Sequence, residues 1–162
     1  MSFDESFLIE LAETVAQADL QVIFIGNAAA ILHGVPVLTQ DVDLLVRDHP
    51  QLEKKLQKFA KIFGATLTRP YEPTSQVIRA VGRPVGVDFV VRLSSRKSFE
   101  SIRSRATKIQ IGKRMVWVAS LEDIIAAKEA ANRPKDKATL QMLKETLRIK
   151  SSMENVRKKT KH

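Results

Sequence analysis

The sequence contains no cysteine, only three histidines and no long apolar run. The absence of cysteine excludes disulfide bonds, thiol catalysis and cysteine zinc sites. His33, His49 and His162 match no zinc-binding spacing, so any metal is expected to bind hard oxygen ligands. No apolar stretch approaches the roughly 18 residues of a membrane span, and an N-terminus with Asp4 and Glu5 lacks the basic start of a signal peptide. These absences predict a cytoplasmic protein without a membrane partner.

The chain is strongly basic, with a formal net charge of +9 over 162 residues. The segment from Lys150 onward has five basic residues and one acidic residue, so a charge of +5 remains when this segment is left out. Such a surface is typical of proteins that bind polyanions, although added solubility explains the C-terminal charges equally well. We predict a single domain over residues 1–150 and a flexible basic tail over residues 151–162.

Hydrophobic periodicity and turn residues predict helices and strands that mix without strict alternation. The predicted helices cover residues 5–18, 28–33, 52–63, 121–131 and 134–150, and the predicted strands cover residues 21–25, 41–46, 77–81, 85–91, 108–111 and 114–118. Asn27 is expected to cap the second helix, and the last four strands are expected to form two hairpins. This order predicts an α+β (α/β) fold, with a mixed β-sheet flanked by helices and a helical pair at the C-terminus.

Two aspartates lie two residues apart on the predicted strand 41–46. Side chains alternate between the faces of a strand, so Asp41 and Asp43 point to the same side. Two carboxylates about 6–7 Å apart at Cα suit a pair of hard cations about 3.5–4 Å apart. Mg²⁺ is favoured because it accepts one or two carboxylates and keeps positions for water and phosphate oxygens. A solvent-facing strand without metal explains the same spacing, because Asp-x-Asp is common.

A third aspartate, Asp88, interrupts the apolar strand predicted at residues 85–91. A lone charge among apolar neighbours requires a compensating cation or hydrogen bonds. A metal centre shared with the first two aspartates would supply the cation, whereas an edge position in the sheet would remove the need for one.

A glycine and several small residues follow the strand predicted at residues 21–25. Free backbone N–H groups at the start of a helix bind phosphate, and a glycine lets the backbone approach it closely. Gly26 and Asn27 are therefore candidates for phosphate binding, with an ordinary tight turn as the alternative.

Each of the two C-terminal helices directs one charge toward its apolar stripe. Lys128 continues the stripe that starts at Leu121, and Asp136 precedes the stripe that starts at Leu140. Lys128 is a candidate for contact with nucleotide phosphates, and Asp136 is a candidate to orient Lys128 or a hydroxyl. Snorkelling of the lysine and the preference of acids for a first helical turn are the alternatives.

Two segments of the chain carry a family resemblance. The first covers residues 24–34 (FIGNAAAILHG) and 39–46 (TQDVDLLV), and the second covers residues 121–128 (LEDIIAAK) and 133–136 (RPKD). With Asp88 between them, they resemble the DNA polymerase beta-like nucleotidyltransferase superfamily over about residues 20–148. The likeness is greatest to its small prokaryotic branch, which includes the AbiEii-type toxin nucleotidyltransferases.

The resemblance implies a reaction and roles for the matching residues. The reaction is transfer of a nucleoside monophosphate from an NTP to an acceptor, with release of pyrophosphate. Asp41, Asp43 and Asp88 would bind Mg²⁺ (or Mn²⁺) and would be catalytic together with Lys128 and Asp136. Nucleotide contacts would come from Gly26, Asn27, Thr39 and Lys128.

RNA is the favoured acceptor in this interpretation, with tRNA ends the most attractive, because the surface and tail are basic. An antitoxin protein is the partner that a toxin role would require. Two positions depart from the family pattern: Gly26-Asn27 stands where relatives have Gly-Gly or Gly-Ser, and Val37 stands where relatives often have arginine. A non-catalytic nucleotide- or RNA-binding module, or an enzyme that modifies a protein or small molecule, is the alternative.

Overall fold

The computed structural model of the chain describes residues 3–70 and 77–160. A seven-stranded mixed sheet is flanked by six α-helices in this part of the chain, which confirms the predicted fold class. The elements are α1 (Glu5–Gln17), β1 (Val22–Ile25), α2 (Gly26–Leu32), β2 (Asp41–Val46), α3 (Leu52–Phe63), β3 (Thr66–Thr68), β4 (Val77–Val81), β5 (Gly86–Val90), α4 (Phe99–Arg105), β6 (Thr107–Ile111), β7 (Arg114–Val118), α5 (Leu121–Ala131) and α6 (Lys137–Thr160). A 3-10 turn, Pro134–Asp136, leads into α6.

The strands lie in the order β3-β4-β5-β2-β1-β7-β6. Both predicted hairpins are confirmed, because β4 pairs antiparallel with β5 and β6 pairs antiparallel with β7. At the centre, β1 pairs antiparallel with β2, whereas β2 with β5 and β1 with β7 are parallel pairs. The parallel pairs bring together strands that are far apart in the sequence.

The main aromatic packing lies on one face of the sheet, beneath α1 and α3. Phe89 of β5 meets Phe59 of α3 edge to face, with ring centroids 4.9 Å apart, and Phe59 stacks on Phe63. Since neighbouring strand residues point to opposite faces, Asp88 lies on the other face, where α2 and α5 pack. Burial of one face therefore fixes which side the aspartates occupy.

Two predicted helix boundaries are wrong. The helix after β1 begins at Gly26 with Ile25 in the capping position, so Asn27 is inside the helix and does not cap it. The positive φ of Gly26, 63°, lets the chain turn into the helix two residues earlier than predicted. The last helix runs to Thr160 rather than to about residue 150, because residues 137–160 contain no glycine or proline to end it.

The part of the predicted tail that the structure describes is thus helical, and every side chain from 151 to 160 is exposed. The division between a domain and a tail at residue 150 stays a prediction. Two short elements, β3 and α4, were not predicted because three and seven residues are too few to show a period. No helix in the described residues is both long enough and apolar enough to cross a membrane.

Replacement of Phe89 tests the packing beneath the aspartate strands. Phe89 is 0% exposed, so Phe89→Ala is expected to lower the free energy of unfolding by about 3–5 kcal/mol in urea denaturation. Leu38→Ala is the control, because Leu38 is 93% exposed and its loss is expected to change stability by less than about 0.5 kcal/mol. Similar losses in both variants would contradict the packing described.

Candidate active site

A row of side chains crosses four neighbouring strands on the face that carries α2 and α5. Asp43 of β2 stands in register with Ile25 of β1 on one side and with Asp88 of β5 on the other. Asp88 is in turn in register with Arg79 of β4. Because residues in register share a face, the row places two carboxylates side by side, at the strand spacing of about 4.8 Å. Asp41 lies one pleat away on the same face, as predicted.

Asp43 sits against the glycine turn at the end of β1. A Cβ atom built on Gly26 would lie 2.8 Å from Asp43 Oδ2, and the φ of this glycine is +63°. The turn therefore has two reasons to contain glycine, the backbone conformation and the space that the carboxylate occupies. Burial first, and then the charges of Asp88 and Asp41, raise the pKa of Asp43 from 3.8 to about 6.

Asp41 is exposed at the edge of the site, and its carboxylate also lies against a glycine. A Cβ atom on Gly86 of β5 would lie 2.7 Å from Asp41 Oδ1. Glycines opposite both carboxylates of β2 thus leave room for their oxygen atoms.

Asp88 is buried and forms an ion pair with Arg79. Arg79 Nε donates to Asp88 Oδ1 at 2.8 Å, and Arg79 Nη2 donates to Asp88 Oδ2 at 3.3 Å. The predicted need of this carboxylate for a cation and hydrogen bonds is met by an arginine on the adjacent strand. The periodicity of β4 contained the signal, because Arg79 alternates with the buried Ile78 and Ala80.

The C-terminal segments bring together a buried lysine, which lines the same pocket as Asp43, and a buried aspartate, which does not line it. Lys128 Nζ lies 3.7 Å from Asp136 Oδ1, and each side chain is only 8% exposed. Arg133 Nε donates to Asp136 Oδ2 at 2.8 Å. Burial is the main cause that lowers the pKa of Lys128, and Arg133 adds to it, while Asp136 and Asp43 oppose the shift. The predicted inward direction of both charges is confirmed.

These residues surround a pocket of about 550 Å³, a volume suited to a small ligand. Its polar lining consists of Asp43, Arg79, Asp88, Arg92, Ser94, Asp123, Lys128, Arg133 and Lys135, beside the backbone of Gly26. Apolar walls are formed by Ile25, Val77, Val90, Leu93, Ile102, Ile124 and several alanines. Arg92 and Lys135 form no ion pair with any residue that the structure describes. The pocket therefore combines three carboxylates with five cations.

Asp123, on the inner wall, is a buried carboxylate that the sequence prediction missed. It accepts hydrogen bonds from Arg105, Lys97 and Ser120. Burial opposes its ionisation, but these hydrogen bonds outweigh burial and lower its pKa. Its side chain is only 1% exposed, and these partners give it the role of a structural anchor for α4 and α5.

Two residues predicted to bind nucleotide have other contacts. Thr39 Oγ1 donates to the Asp41 carbonyl oxygen at 2.6 Å, and the side chain of Asn27 donates to the Leu38 carbonyl oxygen at 3.4 Å. Neither residue is among the described residues that line the pocket. Asn27 Oδ1 is buried and accepts no hydrogen bond from the described part of the chain. Both residues instead shape the loop that leads into β2.

The donor set fits Mg²⁺ in kind. Within residues 3–70 and 77–160 no group of three His, Asp or Glu side chains forms a complete metal cage. Mg²⁺ does not require such a cage, because one or two carboxylates suffice when substrate phosphates and water complete the coordination. Asp43 and Asp88 in register provide two carboxylates. The pKa of Asp43 is raised first by burial and then by the charges of Asp88 and Asp41, and a nearby cation would favour its ionised form.

The family described as nucleotidyltransferase of unknown function (DUF6036) matches residues 6–161. The chain belongs to this family. Its membership confirms the nucleotidyltransferase assignment, and the AbiEii-type branch stays a prediction. No curated protein sequence matches the chain significantly.

Solved structures of other nucleotidyltransferases share the fold of this family member. The solution structure of the antibiotic-resistance factor ANT(2'')-Ia has a TM-score of 0.62 at 12% identity, covering 96% of this chain and 93% of that chain. A crystal structure of ANT(2'')-Ia in complex with adenylyl-2''-tobramycin has a TM-score of 0.61 at 14% identity, covering 88% of each chain. An antigenic nucleotidyltransferase-like protein from Paracoccidioides brasiliensis has a TM-score of 0.55 at 17% identity, covering 90% and 75% respectively. Identities this low establish the fold alone.

The contact between Gly26 and Asp43 is tested by adding one methyl group. Gly26→Ala introduces strain at positive φ and a collision with a carboxylate oxygen, whereas Gly64→Ala introduces strain at a φ of +74° with no atom within 4 Å. Strain alone costs about 1–3 kcal/mol. In urea unfolding, Gly26→Ala is expected to lose at least about 1 kcal/mol more than Gly64→Ala, because Asp43 must move. Equal losses would show that the close approach has no energetic consequence.

The raised pKa of Asp43 predicts how stability depends on pH without metal. The folded protein holds the proton up to about pH 6 and the unfolded chain only up to about 3.8, so the wild type loses stability as pH rises through this window. Asp43→Asn removes the loss and is expected to raise the free energy of unfolding at pH 8 by about 2–3 kcal/mol in a chelator. The gain should shrink toward zero near pH 4, and a gain that does not vary with pH would contradict the prediction.

Proposed function

We propose that the chain transfers a nucleoside monophosphate from an NTP to a hydroxyl group of an acceptor, releasing pyrophosphate. The observation that carries this proposal is the register of Asp43 with Asp88 beside the buried Lys128, in one pocket. Carboxylates that need a cation and a lysine that suits a phosphate are the two requirements of phosphoryl transfer. Family membership supports the same reaction class.

Asp43 and Asp88, with Asp41 at the rim, are the residues that would hold Mg²⁺ or Mn²⁺. The bound cation would neutralise charge on the phosphates and on the leaving pyrophosphate. Arg79 holds the carboxylate of Asp88 by two hydrogen bonds, so that this group is fixed before the substrate arrives. Asp43 in the folded protein ionises near pH 6, so it is a carboxylate at neutral pH.

Lys128 is the residue that we assign to the phosphates. Its ammonium group is buried, and the one carboxylate within 4.0 Å of it among the described residues is that of Asp136, at 3.7 Å. Ammonium groups form charge-assisted hydrogen bonds with phosphate oxygens, and burial strengthens them. Asp136 is itself held by Arg133, so it would act as the positioning residue for Lys128. Gly26 leaves the backbone at the end of β1 open to the triphosphate.

The charge of the pocket favours an anionic acceptor. Arg92, Arg133 and Lys135 lie along the pocket, and Arg92 and Lys135 carry charges that no described carboxylate offsets. Such a lining repels cationic acceptors and attracts the phosphates of RNA. RNA is therefore the acceptor that we propose, with the 3′ end of a tRNA as one form of it.

Modification of a small molecule is the second candidate, because one neighbour in structure was solved with adenylyl-2''-tobramycin. A non-catalytic RNA- or nucleotide-binding module is the third candidate. It is motivated by Asn27, which does not line the pocket and whose buried Oδ1 accepts no hydrogen bond from the described residues. A toxin role with an antitoxin partner rests on the sequence resemblance. Growth arrest on expression, relieved by a protein encoded beside this gene, would support that role.

Incorporation of label from each α-labelled NTP into total RNA tests the reaction. Wild type with Mg²⁺ is expected to label RNA, and Asp43→Asn or Asp88→Asn is expected to reduce the rate at least about a hundredfold. Asp48→Asn is the matched control, because Asp48 is exposed just beyond β2 and should leave the rate unchanged.

Three results separate the candidates. Label in RNA supports the proposal. Label in a small acceptor or protein, without label in RNA, favours the second candidate. Binding of NTP or RNA without pyrophosphate release by the wild type would refute an enzymatic role and favour the third.

A further inference from the structure

One exposed face of α6 carries only basic and uncharged polar side chains. Its members recur at intervals of three or four residues, the spacing of a single helical face, and the structure exposes every one of them. They are Lys137, Gln141, Lys144, Arg148, Ser152, Asn155 and Lys159, here called the polar row. Of the two acidic residues of α6, Glu154 lies off this face, whereas Glu145 lies at its border, three residues before Arg148.

The polar row starts at the pocket and leads away from it. Lys135, which lines the pocket, precedes the first member by two residues. The row spans 22 residue steps from 137 to 159, which at 1.5 Å per residue corresponds to about 33 Å. An adjoining face of the first half is held against the domain through Leu140, Leu143 and Leu147, so the direction of the row is fixed.

The charges of the polar row are available to a ligand. Lys144 is 3.9 Å from Glu129 and Arg148 is 3.5 Å from Glu145, and in both pairs the side chains are more than half exposed. Exposed pairs of this kind contribute little and exchange readily with another anion. Lys137 and Lys159 form no ion pair in the described part of the chain.

We infer that the polar row is a docking track for the phosphate backbone of RNA, which holds the acceptor while its end lies in the pocket. The inference rests on the proposed function and deepens it. Lysine, arginine, serine, asparagine and glutamine are the side chains that bind phosphates and sugars in nucleic-acid complexes. A row of these residues, in which only Lys144 and Arg148 have exposed carboxylate partners, fits a regularly spaced polyanion. An acidic protein surface would match the cations but not the amide and hydroxyl groups between them.

Binding of RNA without turnover tests the track. The probe is a fluorescein-labelled single-stranded RNA of about 24 nucleotides, titrated with the full chain in EDTA and followed by fluorescence anisotropy. The row variant replaces the four cations with glutamine, a good helix former: Lys137→Gln, Lys144→Gln, Arg148→Gln and Lys159→Gln. The control variant removes the same charge from exposed lysines elsewhere: Lys54→Gln, Lys58→Gln, Lys61→Gln and Lys113→Gln.

The row variant is expected to bind RNA at least tenfold more weakly at about 0.1 M salt. Its plot of log affinity against log salt concentration should become shallower by about 3, since each lost phosphate contact removes about 0.7. The control variant should keep more than half of the wild-type affinity, and circular dichroism should report the same helix content in all three proteins.

Equal losses in the two variants would overturn the inference, because net charge alone would then explain binding. Absence of RNA binding by the wild type would also overturn it and leave an acidic protein as the candidate for this face. The proposed reaction is judged separately. Label transfer to RNA that is unaffected in the row variant would refute the docking track and support the proposed reaction. RNA binding that depends on the row, without label transfer, would support the docking track and refute the proposed reaction.

Discussion

Repulsion between two carboxylates on adjacent strands is the constraint around which the rest of the site is arranged. The parallel register of β2 and β5 places Asp43 beside Asp88 on one face of the sheet. Arg79 offsets the second charge through two hydrogen bonds, whereas the first relies on the more distant fields of Lys128 and Arg133. Burial and the neighbouring carboxylates still raise the pKa of Asp43, which is the reason why this corner of a pocket otherwise rich in cations is suited to a divalent cation.

Glycine serves the same purpose at both carboxylates of β2. Gly26 and Gly86 come from different strands, yet each leaves empty the position where its Cβ would meet an aspartate oxygen. From the sequence, Gly26 was predicted only to bind phosphate, and Gly86 was predicted only to be part of an apolar strand. The structure adds a second use, in which missing side chains create room for the charges of the neighbouring strand.

Periodicity predicted the sheet, both hairpins and the inward direction of Lys128 and Asp136, because long apolar stripes determine which face is buried. It also placed Asp41 and Asp43 on one face correctly. Helix boundaries were harder to predict from the sequence. The start of α2 depends on the backbone conformation of Gly26, and α6 continues because no glycine or proline ends it. Arg79 and the partners of Asp123 were missed for a different reason. Spacing within β4 indicates only which face Arg79 occupies. The partners of Arg79 and Asp123 depend on pairing between strands and helices, which no single segment encodes.

The parallel pairing of β1 with β7 has a consequence for how the protein is made. The paired aspartates are synthesised early, but β7 fills its place beside β1 only after most of the chain has been made, and Lys128 and Arg133 follow later still. Contacts between such distant segments form slowly and must wait for the C-terminal half to leave the ribosome. A chain terminated before α5 would therefore carry the aspartates and Arg79 without Lys128 and Arg133. Completion of translation is in this way a condition for assembling the whole pocket.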